Sequence, residues 1–183
     1  MILVDSMQIC LANISMASKV YGDEISEEYI RHMILNSLRK YNKEHKEEYG
    51  EMVLCYDGSK NWRKTIYPEY KAHRARIRSE SETDWDLIFK WIYTIRDEIK
   101  DNFPYRVIHV AEAEADDIIA VLARESDPLK NHLIISSDKD FIQLHAYAGC
   151  KQFDPIRKRW LTGDPAESLV NKIFYGDKGD GVP

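Results

Sequence analysis

Cysteine is scarce and odd in number: Cys10, Cys55 and Cys150 are the whole complement of 183 residues. Two of them sit inside apolar runs, so a disulfide framework does not organise this chain, and a reducing cytoplasm is the expected setting. No stretch approaches the roughly 18 consecutive apolar residues of a membrane span. The start, Met1-Ile2-Leu3-Val4-Asp5, meets an acid at once and lacks the basic and apolar regions of a secretory leader. Internal repeats and low-complexity tracts are absent. The six histidines form no cluster with cysteine at zinc-ligand spacing and suggest no catalytic triad. What is present suits one globular domain: 44% hydrophobic residues, enough for a core, and 31% charged.

Charge is unevenly spread. Residues 60–78 carry seven basic residues (Lys60, Arg63, Lys64, Lys71, Arg74, Arg76, Arg78) and one acid (Glu69), net +6. Against a total of −5, this leaves −11 for the rest of the chain. A basic block beside a strongly acidic remainder is accounted for by an acidic pocket that holds divalent cations. Within 62–78 the basic residues interleave with Trp62, Tyr67 and Tyr70, a pattern suited to a phosphate backbone and base stacking. The plain alternative is a solvated helix face.

Strand and helix signals alternate. Residues 1–5 read as a buried strand. Residues 26–46 read as a helix capped by Ser26, with Ile30, Ile34, Leu38 and Tyr41 on one face. A second buried strand spans 52–56 and ends at Asp57. Residues 58–82 are polar and poorly periodic, a long loop or a mobile pair of short helices. A helix over 84–101, capped by Thr83, carries Trp85, Ile88, Ile92, Ile95 and Ile99 at helical spacing. A strand over 105–110, a helix over 113–125, a strand over 132–137 and a short helix over 139–145 follow. Residues 149–153 and 157–161 suit a hairpin. Asp164-Pro165-Ala166-Glu167 opens a helix that stops at Gly176. This order predicts an α/β domain with a mainly parallel sheet covered on both faces.

Sites in such sheets form at the carboxyl ends of the strands. Asp5, Asp57 and Asp138 each end an apolar strand. Glu112, Glu114, Asp116 and Asp117 open a helix at the same edge, Asp140 follows Asp138 by two, and Asp177 and Asp180 lie in the tail. Taken singly, a strand-end Asp is more often a turn or cap residue. The 112–117 acids read equally as complements to a helix dipole, and Asp138-Lys139-Asp140 as a cap. Their coincidence at one edge is what the plain reading leaves unexplained. Unpartnered, so many carboxylates would have to protonate. Hard divalent ions such as Mg²⁺ or Mn²⁺ remove the conflict, and two of them about 3.5–4 Å apart can serve phosphodiester hydrolysis. Asp23, Asp84, Asp97, Asp101, Asp127, Asp154 and Asp164 read as surface, turn or cap residues, His73 as a polar surface residue, and Cys10 and Cys55 as small buried hydrophobes.

Asp5, VLCYDG at 53–58, WRKTIYPEYKAHR at 62–74, EADDIIAVLA at 114–123, IISSDKDFIQL at 134–144 and GDKGDGVP at 176–183 span nearly the whole chain. In that order they resemble the flap endonuclease family of structure-specific 5′ nucleases. The resemblance implies a PIN-like three-layer α/β/α core with a basic arch insertion over about 58–82. It implies a two-Mg²⁺ site in which Mn²⁺ substitutes. Asp5, Asp57, Glu114, Asp116 and Asp138 would serve the first metal. Asp140, Asp177 and Asp180 would serve the second, with Asp117 close by. Lys71 and Arg74 match basic residues that contact the scissile phosphate, and Tyr70 matches an aromatic that stacks on a base. Arg63, Lys64, Arg76 and Arg78 complete the nucleic-acid set, with Arg63 and Lys64 of weaker meaning. Glu112 precedes the motif and stays outside it.

The implied activity is Mg²⁺-dependent 5′→3′ exonuclease or flap endonuclease cleavage of DNA or RNA–DNA hybrids with a 5′ end, flap or nick, including removal of RNA primers. The implied setting is cytoplasmic (a host's cytoplasm for a phage-encoded chain), with replication proteins as partners and no membrane. The departure is at the end. Gly181 stands where the family commonly has Asn, and the chain stops before a helix-hairpin-helix element. A fragment, half of a split enzyme completed by a C-terminal segment in trans, or a minimal nuclease are the readings this leaves. A phosphatase of haloacid type would want a second Asp two residues after Asp5, where Met7 stands. A PIN-type ribonuclease shares the core but not the YPEYKAHR segment.

Overall fold

The computed structural model describes residues 1–22, 25–125 and 129–182. Asp23 and Asp127 lie outside the described residues, as does Pro183 of the tail motif. Six strands form one sheet: β1 (Ile2–Asp5), β2 (Met52–Tyr56), β3 (Arg106–His109), β4 (His132–Ile135), β5 (Cys150–Asp154) and β6 (Arg159–Leu161). Their spatial order is β3-β2-β1-β4-β5-β6. The first five run parallel, and β6 returns antiparallel on β5. β1, β2 and β4 are buried along their whole length because helices cover both faces.

The period of two along each strand sorts the core into two layers. Ile2, Val4, Leu54, Tyr56, Leu133 and Ile135 face α1 (Ser6–Tyr21), α2 (Glu27–Tyr49) and α5 (Trp85–Asn102). Leu3, Val53, Cys55 and Ile134 face α6 (Ala115–Glu125) and Phe141 of a 3₁₀ segment, Lys139–Ala146. The apolar faces read from spacing are the buried ones: Ile30, Ile34, Leu38 and Tyr41 on α2, and Ile88, Ile92, Ile95 and Ile99 on α5. All three cysteines are free and buried.

Several boundaries move. α2 continues to Tyr49 and stops at Gly50. Asp84, not Thr83, caps α5, its carboxylate accepting from Leu87 N at 2.9 Å. β3 shortens to an edge strand, β4 ends at Ile135, and α6 starts at Ala115. Residues 58–82 hold two short helices, α3 (Arg63–Ile66) and α4 (Ala72–Ser79). α7 (Pro165–Tyr175) begins on Asp164, which accepts from Ala166 N and Glu167 N, and ends at Gly176 as expected.

The helix α1 has no counterpart in the sequence reading. Its buried side is Ser6, Met7, Ile9, Cys10, Asn13, Ile14 and Ala17. The spacing is helical, but Ser and Asn interrupt it, so an apolar-periodicity reading passes over it. Asn13 is tolerated inside because its amide donates to Ile9 O at 2.8 Å and its oxygen accepts from Ser37.

Gly58 shows how closely the sheet edge is packed. A Cβ there would lie 2.2 Å from Val110 O and 2.5 Å from Ala111 O. The segment entering 58–62 is laced to that loop by Gly58 N on Ala113 O, Lys60 N on Ala111 O and Trp62 N on Glu112 O. A backbone oxygen cannot rotate away as a side chain can. Gly58→Ala should therefore cost about 1–3 kcal/mol in chemical denaturation. An unchanged midpoint would show that the two loops separate easily.

Candidate active site

The strand order reverses around β1 and β4, and the crevice outside their carboxyl ends is where such sheets place ligands. A cleft of about 490 Å³ opens there, lined by Asp5, Asp57, Glu114, Asp116 and Asp138 together with Lys71 and Arg74. β1 delivers Asp5, β2 delivers Asp57, the start of α6 delivers Glu114 and Asp116, and the exit of β4 delivers Asp138. A second group lies beside it. Asp140, Asp177 and Asp180 each present an oxygen within 4.8 Å of the others, a set that can hold a metal ion. Asp117 lies alongside, in a pocket shared with Asp116, Asp140 and Asp180.

The cap reading and the cluster reading are both realised in the same side chains. Asp5 accepts from Gln8 N at the start of α1, and Asp57 accepts from Ala115 N at the start of α6. Asp138 accepts from Asp140 N at the start of the 3₁₀ segment. Each carboxylate is oriented by a helix start through one oxygen; the second oxygen of Asp5 accepts from Ser136 Oγ.

Burial and mutual repulsion set the charge state. Burial, with the charges of Asp5 and Asp138 added, pushes Asp116 up to about 8. Burial also raises Asp5 to about 6, against hydrogen bonds from Ser136 and Gln8, and it raises Asp57. Burial raises Asp140 too, opposed by Lys172. Glu114 is buried as well, yet Lys71 and the Tyr70 hydroxyl outweigh that and hold it below its usual value. Arg63 does the same for Asp117, and Lys172 for Asp177.

The basic segment meets these acids. Lys71 Nζ donates to Glu114 Oε1 at 2.7 Å, and Arg74 to Asp180 Oδ1 at 3.1 Å. Arg63 clamps both oxygens of Asp117 at 2.8 and 2.9 Å, and Trp62 Nε1 adds a third bond. Lys71 has left-handed backbone (φ 54°), rare for a side chain of its kind. Its N–H is tied to Asp180 O at 2.9 Å, and the Tyr67 hydroxyl donates to Gly181 O at 3.0 Å. Lys60, Lys64, Lys71, Arg74 and Arg78 line a groove of about 250 Å³ that continues from the cleft. Arg76 instead turns outward to Glu80. Tyr70 is only 7% exposed, its hydroxyl on Glu114 Oε2 at 2.9 Å, so its ring is not open to a stacking base in this conformation.

Some residues escaped sequence reading. Lys172 on α7 donates to Asp140 Oδ2 at 2.6 Å and also to Asp177. Ser136 Oγ donates to Asp5 Oδ2 at 2.9 Å, and Gln8 accepts from Ser137 N at 2.6 Å. Asp154, expected as a surface or turn residue, is a turn residue but fully buried; it accepts from Ile156 N, Arg157 N and Ser137 Oγ. Short polar residues of this kind carry no spacing signal.

Residues 2–170 match the family described as 5′-3′ exonuclease, N-terminal resolvase-like domain, and the chain belongs to that family. Among curated proteins it is 38% identical to ribonuclease H of Enterobacteria phage T4, over 98% of this chain and 61% of that protein. It is 30% identical to flap endonuclease Xni of Shewanella sp. strain MR-4, over 72% of this chain and 51% of that protein. The chain thus spans less than two thirds of either relative. Its fold matches bacteriophage T5 5′-exonuclease with divalent metal ions (zinc) bound, at a TM-score of 0.80 and 16% identity, covering 100% of this chain and 69% of that one. It also matches bacteriophage T5 flap endonuclease in a pseudo-enzyme–product complex with DNA and metal ions, at 0.79 and 17% identity, covering 98% and 67%. The expected PIN-like α/β architecture is therefore observed. Among the described residues no helix is long and apolar enough to cross a membrane.

Asp116 binds its proton up to about 8 when folded, against 3.8 as the ordinary value. Between those limits the folded chain holds a proton that the unfolded chain releases, so stability falls as pH rises through the window. Glu114, Asp117 and Asp177 act in the opposite sense, but their windows lie below the ordinary carboxylate values. In EDTA, the thermal midpoint should fall from about pH 5 to about pH 8, and Asp116→Asn should flatten that slope. A midpoint that rises over this range would contradict the assigned charge state.

Proposed function

We propose that this chain is the nuclease core of a structure-specific 5′ nuclease. It hydrolyses phosphodiesters of DNA or RNA–DNA hybrids near a 5′ end, flap or nick, with removal of RNA primers as one use. The observation that carries the reading is the single cleft in which five carboxylates from four chain segments face Lys71 and Arg74.

The donor set fits hard divalent cations. It consists of carboxylates, with no sulfur or imidazole in either group. Asp116 is half-buried with no side-chain hydrogen bond among the described residues, and its carboxyl is raised by desolvation first and by the neighbouring Asp5 and Asp138 charges second. Asp5, Asp57, Glu114, Asp116 and Asp138 would hold one Mg²⁺, and Asp140, Asp177 and Asp180 a second, with Mn²⁺ able to substitute. Bound there, the ions would supply an activated water and neutralise charge on the phosphate.

The chain's own groups do the rest. The basic groove from Lys60 to Arg78 attracts the backbone of the 5′ strand. Lys71 and Arg74, already at the cleft wall, neutralise the phosphate that enters. Water adds across the P–O3′ bond, leaving a 5′-phosphate and a 3′-hydroxyl. Lys71 and Arg74 leave their carboxylates to do this, and those carboxylates are the ones assigned to cations. Asp117 is spoken for by Arg63 and Trp62, so it braces the start of α6 rather than serving as a ligand.

A second reading follows from the 61% coverage of the phage T4 relative. In it, this chain binds metal and nucleic acid but cleaves only with a C-terminal segment supplied in trans.

The deciding experiment is cleavage of a 5′-labelled flap and a nicked duplex in Mg²⁺. The wild-type chain should cut, and Asp116→Asn should lose more than about 100-fold in rate with its fold intact, a larger loss than outer residues of a metal site cause. Full activity in Asp116→Asn would remove the site assignment. A folded wild-type chain that binds the duplex without cutting would favour the second reading.

A further inference from the structure

The chain leaves the sheet at residues 136–138, and this turn aims two of the clustered acids. Asp138 lines the cleft and Asp140 belongs to the neighbouring trio. Two carbonyls of the turn, those of Ser136 and Asp138, accept from one side-chain amide. Gln152 Nε2 donates to them at 2.9 and 2.6 Å. Gln152 lies on β5 opposite Ile134 of β4 and is 0% exposed. From the other side, Asp138 N donates to Ser136 Oγ at 3.1 Å, and that hydroxyl donates to Asp5 Oδ2.

The peptides before and after Asp138 are therefore both held. The preceding one is fixed through its N–H by Ser136, the following one through its carbonyl by Gln152. A primary amide offers two N–H donors in one plane at a fixed angle. Meeting both carbonyls, it sets their separation and so the curvature of the turn. Ser136 is fully buried, so its carbonyl finds no substitute partner if the amide is removed.

We propose that Gln152 is a positioning residue that aims the Asp138 and Asp140 carboxylates into their metal-binding places. The inference rests on the metal-dependent nuclease reading above. Gln152 touches neither the substrate nor the metal. It acts through the backbone of Asp138, as the outer partners of metal ligands do in general.

Gln152→Met keeps length and volume and removes both donors. Mn²⁺ binding to the full chain without substrate, followed by titration calorimetry, should weaken by about 10–100-fold. Ile95→Ala, a buried change on the opposite face of the sheet, serves as the control for lost stability. It should lower the thermal midpoint while leaving Mn²⁺ affinity at the wild-type value. Gln152→Asn, whose amide is one methylene short, carries the same test if the Met variant does not fold. Wild-type Mn²⁺ affinity in a folded Gln152 variant would overturn the proposal alone. Equal loss of affinity in Ile95→Ala would overturn it too, because general destabilisation would then explain the effect. A wild-type chain that binds no Mn²⁺ would overturn it together with the reading it rests on.

Discussion

The structure depends on neutralising negative charge at one edge of a sheet. Topology forces the convergence: strands that run parallel end on the same side, β1 ends in Asp5, β2 is followed at once by Asp57, and β4 leads within three residues to Asp138. Buried carboxylates at close range cannot all ionise without positive charge nearby. The chain answers in part with its own cations: Lys71 on Glu114, Arg74 on Asp180, Arg63 on Asp117 and Lys172 on Asp140 and Asp177. Cation contact holds the carboxyl low at Glu114, Asp117 and Asp177, whereas at Asp140 burial outweighs Lys172. Asp5 and Asp116, in the same cleft, have no such contact and rise to about 6 and about 8. The shortfall of positive charge is thus local, and it lies at the centre of the cleft.

The same geometry explains why these acids double as caps. A strand that ends at the sheet edge hands over to a helix whose first N–H groups need acceptors. An Asp at that junction satisfies an N–H with one oxygen and presents the other to its neighbours. Asp5 and Asp138 do so at their own junctions, with Ser136 on the second oxygen of Asp5, and Asp57 caps α6 from the end of the neighbouring strand β2. Structural and functional readings of a strand-end Asp are consequently not rivals here. The cap is what fixes the direction of the carboxylate.

Legibility from sequence followed the strength of each local signal. The central strands, the apolar stripes of α2 and α5, and the strand-end acids were readable because period and position each carry information. The helix α1 was not, because Ser6 and Asn13 sit on its buried side. Asp154 reads as a surface, turn or cap residue and is a turn residue, but its complete burial was not legible because nothing local announces that Ser137 and two backbone N–H groups enclose it. Lys172 and Gln152 were invisible for a related reason. Each acts on residues 14 to 32 positions away, through contacts that only the fold creates.

The basic segment was legible as composition but not as conformation. Its polarity suggested a loose insertion, yet it is docked at its start and at its middle. Residues 58–62 are bonded to the 111–113 loop, and Lys71, Tyr67 and Arg74 are bonded to the 179–181 loop. The left-handed backbone at Lys71 is held by the Asp180 carbonyl and by the pull of Glu114 on the ammonium. A left-handed non-glycine residue costs roughly 1–2 kcal/mol, so its partners must hold it in place. One of those partners is Glu114, whose carboxyl the same ammonium helps to hold low. The cleft's electrostatics thus help to shape the arm that covers it. Any cation or phosphate that enters redistributes the same charges that hold Lys71 and Arg74 at the wall.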